Sequence, residues 1–553
     1  MEENISKNFV IGIGGTGMRC LESFTHMCAM GLFDQKEFNV LTLDTDYLNG
    51  NKQRTESLIE LYNQIKKTDQ EASGFANNDT FFSAKINLFK CVADYSGGDG
   101  SPGSDFETIA KLENNPDAQI LADLFLSKRV QGFDLAHGYR AQTHLGSYLM
   151  YHALLEIAAR LGKGTNIKEQ DKDFGRFLDL LMRAGENARV FVFGSVFGGT
   201  GASSIPVIPK ALQDAMRRKS ENSAIHPDTV YGATLLTEYF EFKPPTEDEK
   251  KEKKDGIIAD SSFFTLNSQA ALSFYESDMT VKKSYKKMYH VGWPVDPIDY
   301  SKDKNEAKTN TGGDTQKNGC HLVDFLCATA AWDFFNTAKD GFKADKANVY
   351  YKSFKLNNNI LDIDYNDILG DGNNAKLFVK KFNSFYRFMH MVLSVGMGAK
   401  GENNGVKAFQ VRLNKNNIKD YDTLATEFMA DLNTYMRMFG YSINPNNNAF
   451  NSGWIYQIKN SFEGKFILEN SSFTSEIKEL GSKFNFGKLY ADDHEFNWKD
   501  GSLIGSNDGA DWADEVVKKL LEVKPSTNAQ ILNNKKEEFI AHIYNALNSI
   551  KTN

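Results

Sequence analysis

Phe9-Val10-Ile11-Gly12-Ile13-Gly14-Gly15-Thr16-Gly17 is a short apolar run broken by four glycines within six positions. Met18–Met30 follows, with Leu21, Phe24 and Met27 or Cys28 at helical spacing. Glycines let a backbone turn tightly and come close to a phosphate, and the helix start behind them offers unpaired N–H groups and partial positive charge. A second apolar strand, Phe38–Leu43, ends at Asp44-Thr45-Asp46. Strand, glycine turn, helix and strand open a parallel α/β sheet. The same glycines satisfy the GxGxxG dinucleotide fingerprint, although Asp44 and Asp46 come later than the ribose-binding acid it expects. A tight turn without a ligand is the third reading.

Further along, the buried-type strand Arg189–Phe193 meets Phe197-Gly198-Gly199-Thr200-Gly201-Ala202-Ser203. Pro206 suits the first turn of the helix expected after this loop. Two glycine loops at equivalent sheet edges can grip one polyphosphate from two sides, which a dinucleotide fold has no reason to do. Between and beyond them the spacing predicts a strand over Ile86–Ala93, helices over Gly146–Leu161 and Phe174–Ala184, a strand over Thr229–Thr237, a helix over Ser261–Ser277 and a strand over Lys287–Trp293. Glu247–Asp255 is a charge run of the kind that forms solvated loops. Tyr300–Asn318 reads as a mobile polar loop, and Cys320–Ala338 as a long helix with a broad apolar face. Past it the alternation weakens; helices are expected over Ala375–Leu393, Asp511–Val523 and Glu537–Ile550, and loops over Gly396–Gly405 and Asn444–Gly453.

With 553 residues, 41% apolar and 25% charged, the chain has the composition of a packed globular protein of several domains. A net charge of −8 gives no electrostatic case for nucleic acid or an anionic membrane. No apolar run of about 18 residues is present to span a bilayer. The five cysteines form no CxxC pair and no disulfide framework, which predicts a reducing, cytoplasmic setting.

The two glycine loops together resemble the tubulin/FtsZ superfamily, closest to the divergent bacterial tubulin-like proteins. The family signature GGGTG, then Ser or Thr, then Gly, is met here with Phe197 for the first glycine, Ala202 for the hydroxyl residue and Ser203 for the last glycine; Gly198, Gly199, Thr200 and Gly201 are kept. The resemblance implies that this loop wraps the phosphates of GTP or GDP while Gly14, Gly15, Thr16 and Gly17 lie beneath them. Leu43-Asp44-Thr45-Asp46 looks like the NTD ending the second strand of FtsZ, which implies Asp46 near Mg²⁺. A strand-end Asx turn is the plainer reading. Ala136–Gly146 is similar to the glycine-containing γ-phosphate loop, with Arg140 as the candidate phosphate contact. Asn267 and Asn318 stand where family asparagines read the purine; Asn318 equally suits a helix N-cap. Leu361–Ile368 resembles the synergy loop NxDxxD, with Asp362 in the Asn position, so Asp364 and Asp367 of one subunit would complete a neighbour's catalytic site.

The implied fold is a doubly wound parallel α/β sheet binding GTP over residues 1–315, a central helix at 316–340, and a smaller α/β or α+β activation-type domain with a helical extension over 341–553. The implied activity is GTP hydrolysis between subunits stacked head to tail into filaments, a contact that does not close on itself. Two alternatives stay open: a nucleotide-binding scaffold or sensor that does not hydrolyse and works with partner proteins through its loops or C-terminal region, and a dinucleotide-dependent oxidoreductase using the first loop alone.

Overall fold

The structure is a computed structural model. It describes residues 7–34, 36–67, 80–93, 105–132, 135, 138–139, 141–220, 229–241, 261–293, 298–299, 313, 316–342, 348–350, 356–357, 360–361, 373–394, 421, 424, 426–440, 453–455, 457–458, 519–526 and 534–549.

Seven strands form one all-parallel sheet: β1 (Asn8–Ile13), β2 (Glu37–Asp44), β3 (Lys85–Val92), β4 (Arg189–Phe193), β5 (Val230–Leu236), β6 (Tyr285–Val291) and β7 (Asn348–Tyr350), in the order β3-β2-β1-β4-β5-β6-β7. The order reverses between β1 and β4, so the loops after those two strands leave the same sheet edge side by side. Open α/β sheets hold their ligands at such a switch point. This α/β architecture is compatible with a Rossmann-like nucleotide-binding fold.

Both sheet faces are apolar because successive strand residues point to opposite sides. Val10, Phe38, Val40, Phe191 and Phe193 pack into one core with α1 (Gly14–Ala29) and α2 (Gly50–Lys66). Phe9, Ile11, Ile13, Leu41, Leu43, Val190 and Val192 pack into the other, with α3 (Thr143–Lys163), α4 (Glu169–Ala184) and α5 (Ile208–Lys219). Beyond α5 come α6 (Phe264–Ser277), on the second face, and α7 (Leu322–Asn336), which returns to the first and lies against α1.

The strands expected at Phe9–Ile13, Phe38–Leu43, Ile86–Ala93, Arg189–Phe193, Thr229–Thr237 and Lys287–Trp293 are all present within two residues at each end. The helix expected from Cys320 begins only at Leu322, because His321 caps it: His321 Nδ1 accepts the Val323 N–H at 3.1 Å and Asp324 Oδ2 accepts the His321 N–H at 2.8 Å. Asn318 is therefore not the N-cap. α7 is also buried nearly all round instead of amphipathic, being wedged between the sheet and the helices that follow.

Those helices, α8 (Asn373–Ser394), α9 (Thr426–Phe439) and α10 (Lys535–Ser549), share the first face's core. The Phe81 ring meets Phe385, Phe388 and Tyr544, His26 of α1 meets Tyr435, Phe439 and Trp454, and Lys381 Nζ donates to Gly31 O at 2.7 Å. α2 and α9 were not foreseen from sequence. The charge run at 247–255 and the loops at 396–405 and 444–452 lie outside the described residues. The five cysteines are buried and unbridged. Among the described residues no helix is long and apolar enough to cross a membrane.

The deepest polar link ties α1 to α7. Arg19, fully buried, donates from Nε to Asp324 Oδ2 at 3.2 Å and from Nη2 to both Thr16 Oγ1 (3.2 Å) and the Tyr239 hydroxyl, which itself donates to Asp324 Oδ1 at 3.0 Å. Stripping a buried ion of its partner leaves an uncompensated charge. Asp324→Ala is therefore expected to cost about 3–5 kcal/mol in urea unfolding, several times the effect of an exposed carboxylate such as Glu169.

Candidate functional site

The three glycines of the first loop's GxGxxG have separate jobs. A β-carbon on Gly12 would press on Leu21 at 2.3 Å, and one on Gly17 would lie 2.7 Å from Phe193 O; these two let α1 settle onto β1 and β4. Gly14 has φ +65°, a left-handed conformation that glycine adopts without strain. Gly15 is the only residue of α1 that is not buried, so the sheet edge opens to the outside there. The helix has no side-chain cap at Ile13 and no acidic residue in its first turn, so neither opposes the partial positive charge of its first N–H groups.

The second loop comes to meet it. A β-carbon on Gly14 would lie 3.3 Å from Thr200 Cβ and 3.9 Å from Gly201 N. Gly201 in turn is packed on the Ser195 backbone, where a β-carbon would come within 2.5 Å of Ser195 O; Gly198 has open space except for Ser195 Oγ at 3.4 Å. Asn267, on α6, donates from Nδ2 to Phe197 O at 3.2 Å. In this structure it holds the base of the Gly198–Gly201 loop.

Gly138, φ +83°, closes the third side: a β-carbon there would lie 3.6 Å from Thr45 Oγ1 and 3.7 Å from Thr200 Oγ1. Thr45 Oγ1 is buried without a hydrogen-bond partner. Arg140, two residues on, lies outside the described residues, as do Asp364 and Asp367.

The acids that end β2 face their own loop. Asp44 Oδ1 accepts the N–H groups of Thr45 (2.7 Å) and Asp46 (3.2 Å), and Oδ2 accepts Asn49 Nδ2 at 2.6 Å. Asp46, also buried, takes the Leu48 N–H on Oδ1 at 3.0 Å and the Gly313 N–H on Oδ2 at 2.6 Å. The Asx-turn reading therefore holds for both, and Asp46 also tethers a segment from the far end of the expected polar loop. A Mg²⁺ reached by Asp46 would share Oδ2 with Gly313. Among the described residues no group of three or more His, Cys, Asp and Glu side chains is arranged to hold a metal ion.

Gln316 and Asn51, neither singled out from sequence, stand over the opening at Gly15: a β-carbon there would lie 2.9 Å from Gln316 Nε2 and 3.2 Å from Asn51 Nδ2. Asn51 belongs to α2, whose N-cap signal, Asn49 followed by Leu58, Ile59, Tyr62 and Ile65 at helical spacing, was present in the sequence. Asn318 is buried on the same strip as Gln316, with its amide nitrogen unpartnered.

The structure thus brings together Gly14, Gly15, Thr16 and Gly17 with Thr200 and Gly201 at one sheet edge, and sets Asp46 beside them as a tether. Compared with known proteins, the sequence matches no family model and no curated protein.

Burial raises the Asp44 carboxyl from 3.8 to about 6, the nearby Asp46 charge adding to the rise and the Asp46 and Thr45 amides opposing it. The folded protein then holds a proton that the unfolded chain has lost, so this group's stabilisation is full at low pH and is lost as pH rises through about 6. Asp44→Asn cannot ionise. Its stability relative to the wild type should therefore improve by up to about 3 kcal/mol between about pH 4 and pH 7, read from urea unfolding at each pH.

Proposed function

We propose that this chain binds the phosphates of a nucleoside triphosphate where its two glycine loops meet. GTP is the nucleotide that the tubulin/FtsZ resemblance implies. The observation that carries the reading is the approach of Gly14 to Thr200: a polyphosphate lying on one loop cannot avoid the other. Helix N-terminal amides, two threonine hydroxyls and positions where any side chain would intrude make a cradle for oxygens of an anion. A Mg²⁺ bound with the triphosphate, reached by Asp46, would supply charge neutralisation there.

The dinucleotide alternative draws support from the strand order and from the GxGxxG glycines. Two features count against it. The second loop lies against the first at Gly14, beyond the ends of β1 and β4 where a dinucleotide would cross, and Asp44 spends its oxygens on Thr45, Asp46 and Asn49 instead of a ribose.

Head-to-tail assembly and hydrolysis with Asp364 and Asp367 of a neighbour come from the resemblance. Exposed apolar side chains support an interface on this face: Tyr47 and Leu48 stand next to Asp46, 70% and 45% exposed. In the connection after β3, the helix Pro116–Phe125 exposes Ile120, Leu121, Leu124 and Phe125, each by more than half. Such clustering is uncommon on a surface that stays in water. A scaffold that binds without hydrolysing would keep the same binding site.

GTP at about 100 times its Kd should stabilise the protein by roughly 2.7 kcal/mol in thermal unfolding. Gly15→Val, whose β-carbon would press first on the Gln316 and Asn51 side-chain amides, should lose that gain; a folded variant that keeps it would count against the site. Protection by NAD or FAD without protection by GTP or ATP would overturn the reading. For assembly, light scattering should rise on GTP addition and phosphate release should climb faster than linearly with protein concentration; Asp364→Ala with Asp367→Ala should stop release if the chain is an enzyme and change nothing if it is a scaffold.

A further inference from the structure

We infer that Asn51 and Gln316 form a two-armed clamp for an anionic oxygen over Gly15, a phosphate oxygen of the nucleotide in the reading above, on which this inference rests. Their amide nitrogens both stand over Gly15, the Asn51 nitrogen 3.2 Å and the Gln316 nitrogen 2.9 Å from where its β-carbon would be, so one oxygen placed just outside them is within reach of both. Both nitrogens lie at the uncapped start of α1, whose partial positive charge favours an anion there.

Asn51 has 0% exposure, and neither Nδ2 nor Oδ1 has a hydrogen-bond partner. Leaving such a group unsatisfied costs about 1–3 kcal/mol, so folded proteins seldom keep one without a use. Its placement is not loose. The Asn51 N–H is held by Asn49 Oδ1 at 2.9 Å, which fixes the first turn of α2 and sets the side chain toward Gly15.

Gln316 is carried by a turn pinned to the same region. Gly313 O accepts the N–H groups of Gly50 and Gln316, both at 3.1 Å, while the Gly313 N–H goes to Asp46 Oδ2. The end of β2, the start of α2 and the segment before α7 are thereby locked into one frame, and the two amides are its inward-facing tips. Both arms are neutral. They supply hydrogen-bond donors matched to oxygen without fixed positive charge, to which the α1 terminus adds its partial one.

The experiment is calorimetric titration of the full chain with GTP and, separately, with inorganic pyrophosphate. Gln316→Ala should weaken both about tenfold, the loss of one hydrogen bond to a charged group. Gln316→Glu and Asn51→Asp place a carboxylate where the oxygen belongs and should weaken both by about a hundredfold or more. Gln316 is only half-buried, so Gln316→Glu remains informative if Asn51→Asp does not fold. Binding by a folded Gln316→Glu within twofold of wild type would overturn the clamp and leave the nucleotide reading standing. Binding of pyrophosphate but of no nucleotide, with the same losses in the variants, would sustain the clamp and overturn the nucleotide reading. Wild-type protein that binds neither would overturn both.

Discussion

The Arg19 guanidinium is the constraint on which the rest of the molecule depends. It sits one and a half turns into α1, wholly out of water, and its donors reach Thr16 in the glycine turn, Tyr239 beyond β5 and Asp324 in the first turn of α7. A desolvated charge is tolerated only when its partners are complete, so these three segments cannot drift independently. The first turn of α1 is thereby fixed to the helix on its far side as well as to the strand behind it. Gly17 makes the second contact possible, because α1 approaches Phe193 O more closely than any side chain would allow. Position, in this site, is decided from underneath.

Much of this frame was legible in the sequence. Past their first residues, Asn8 and Arg189, β1 and β4 are short apolar runs, each followed directly by glycine, a pattern that few structures other than a buried parallel strand produce. α2 and α9 were not legible in the same way. Their apolar stripes are real, but polar side chains fill most of the remaining positions of each helix, and the stripe acquires meaning only once Tyr62 and Tyr435 are seen to pack on one another. The start of α7 illustrates a different limit. Asn318 is the conventional capping residue, yet the cap is His321, whose imidazole is held neutral by burial, far below its ordinary range, and can accept the Val323 N–H. Tertiary burial chose the less common residue.

The glycine loops of the site were legible because their chemistry is local: a strand, a turn that needs glycine, a helix start. Their convergence was an inference from two similar loops, and the Gly14–Thr200 approach gives it a geometric basis. What lines the cradle apart from glycine was not legible. The contact of Gly313 with Asp46 joins residues 267 apart, and no property of Gln316 in the sequence distinguishes it from the other polar residues of its loop. Asp46 shows the reverse case, a residue conspicuous in sequence that the structure gives a tethering bond to Gly313 along with its place beside the loops.

That division explains why the first loop fits two fingerprints at once. Gly12 and Gly17 serve the packing of α1 on the sheet, and any fold that starts with a tight strand-to-helix turn needs them whatever it binds. Ligand class is decided by what surrounds Gly14 and the partly exposed Gly15. Around Gly14 stands a second backbone, and around Gly15 two neutral amides; the carboxylate at the end of β2, Asp44, is turned to its own loop. Among the groups of such a surface are the helix N-terminal amides and two side-chain amide nitrogens, donors that suit the ligand group proposed above, rich in oxygens and poor in hydrogens. Phosphate meets that description better than any other group a nucleotide carries.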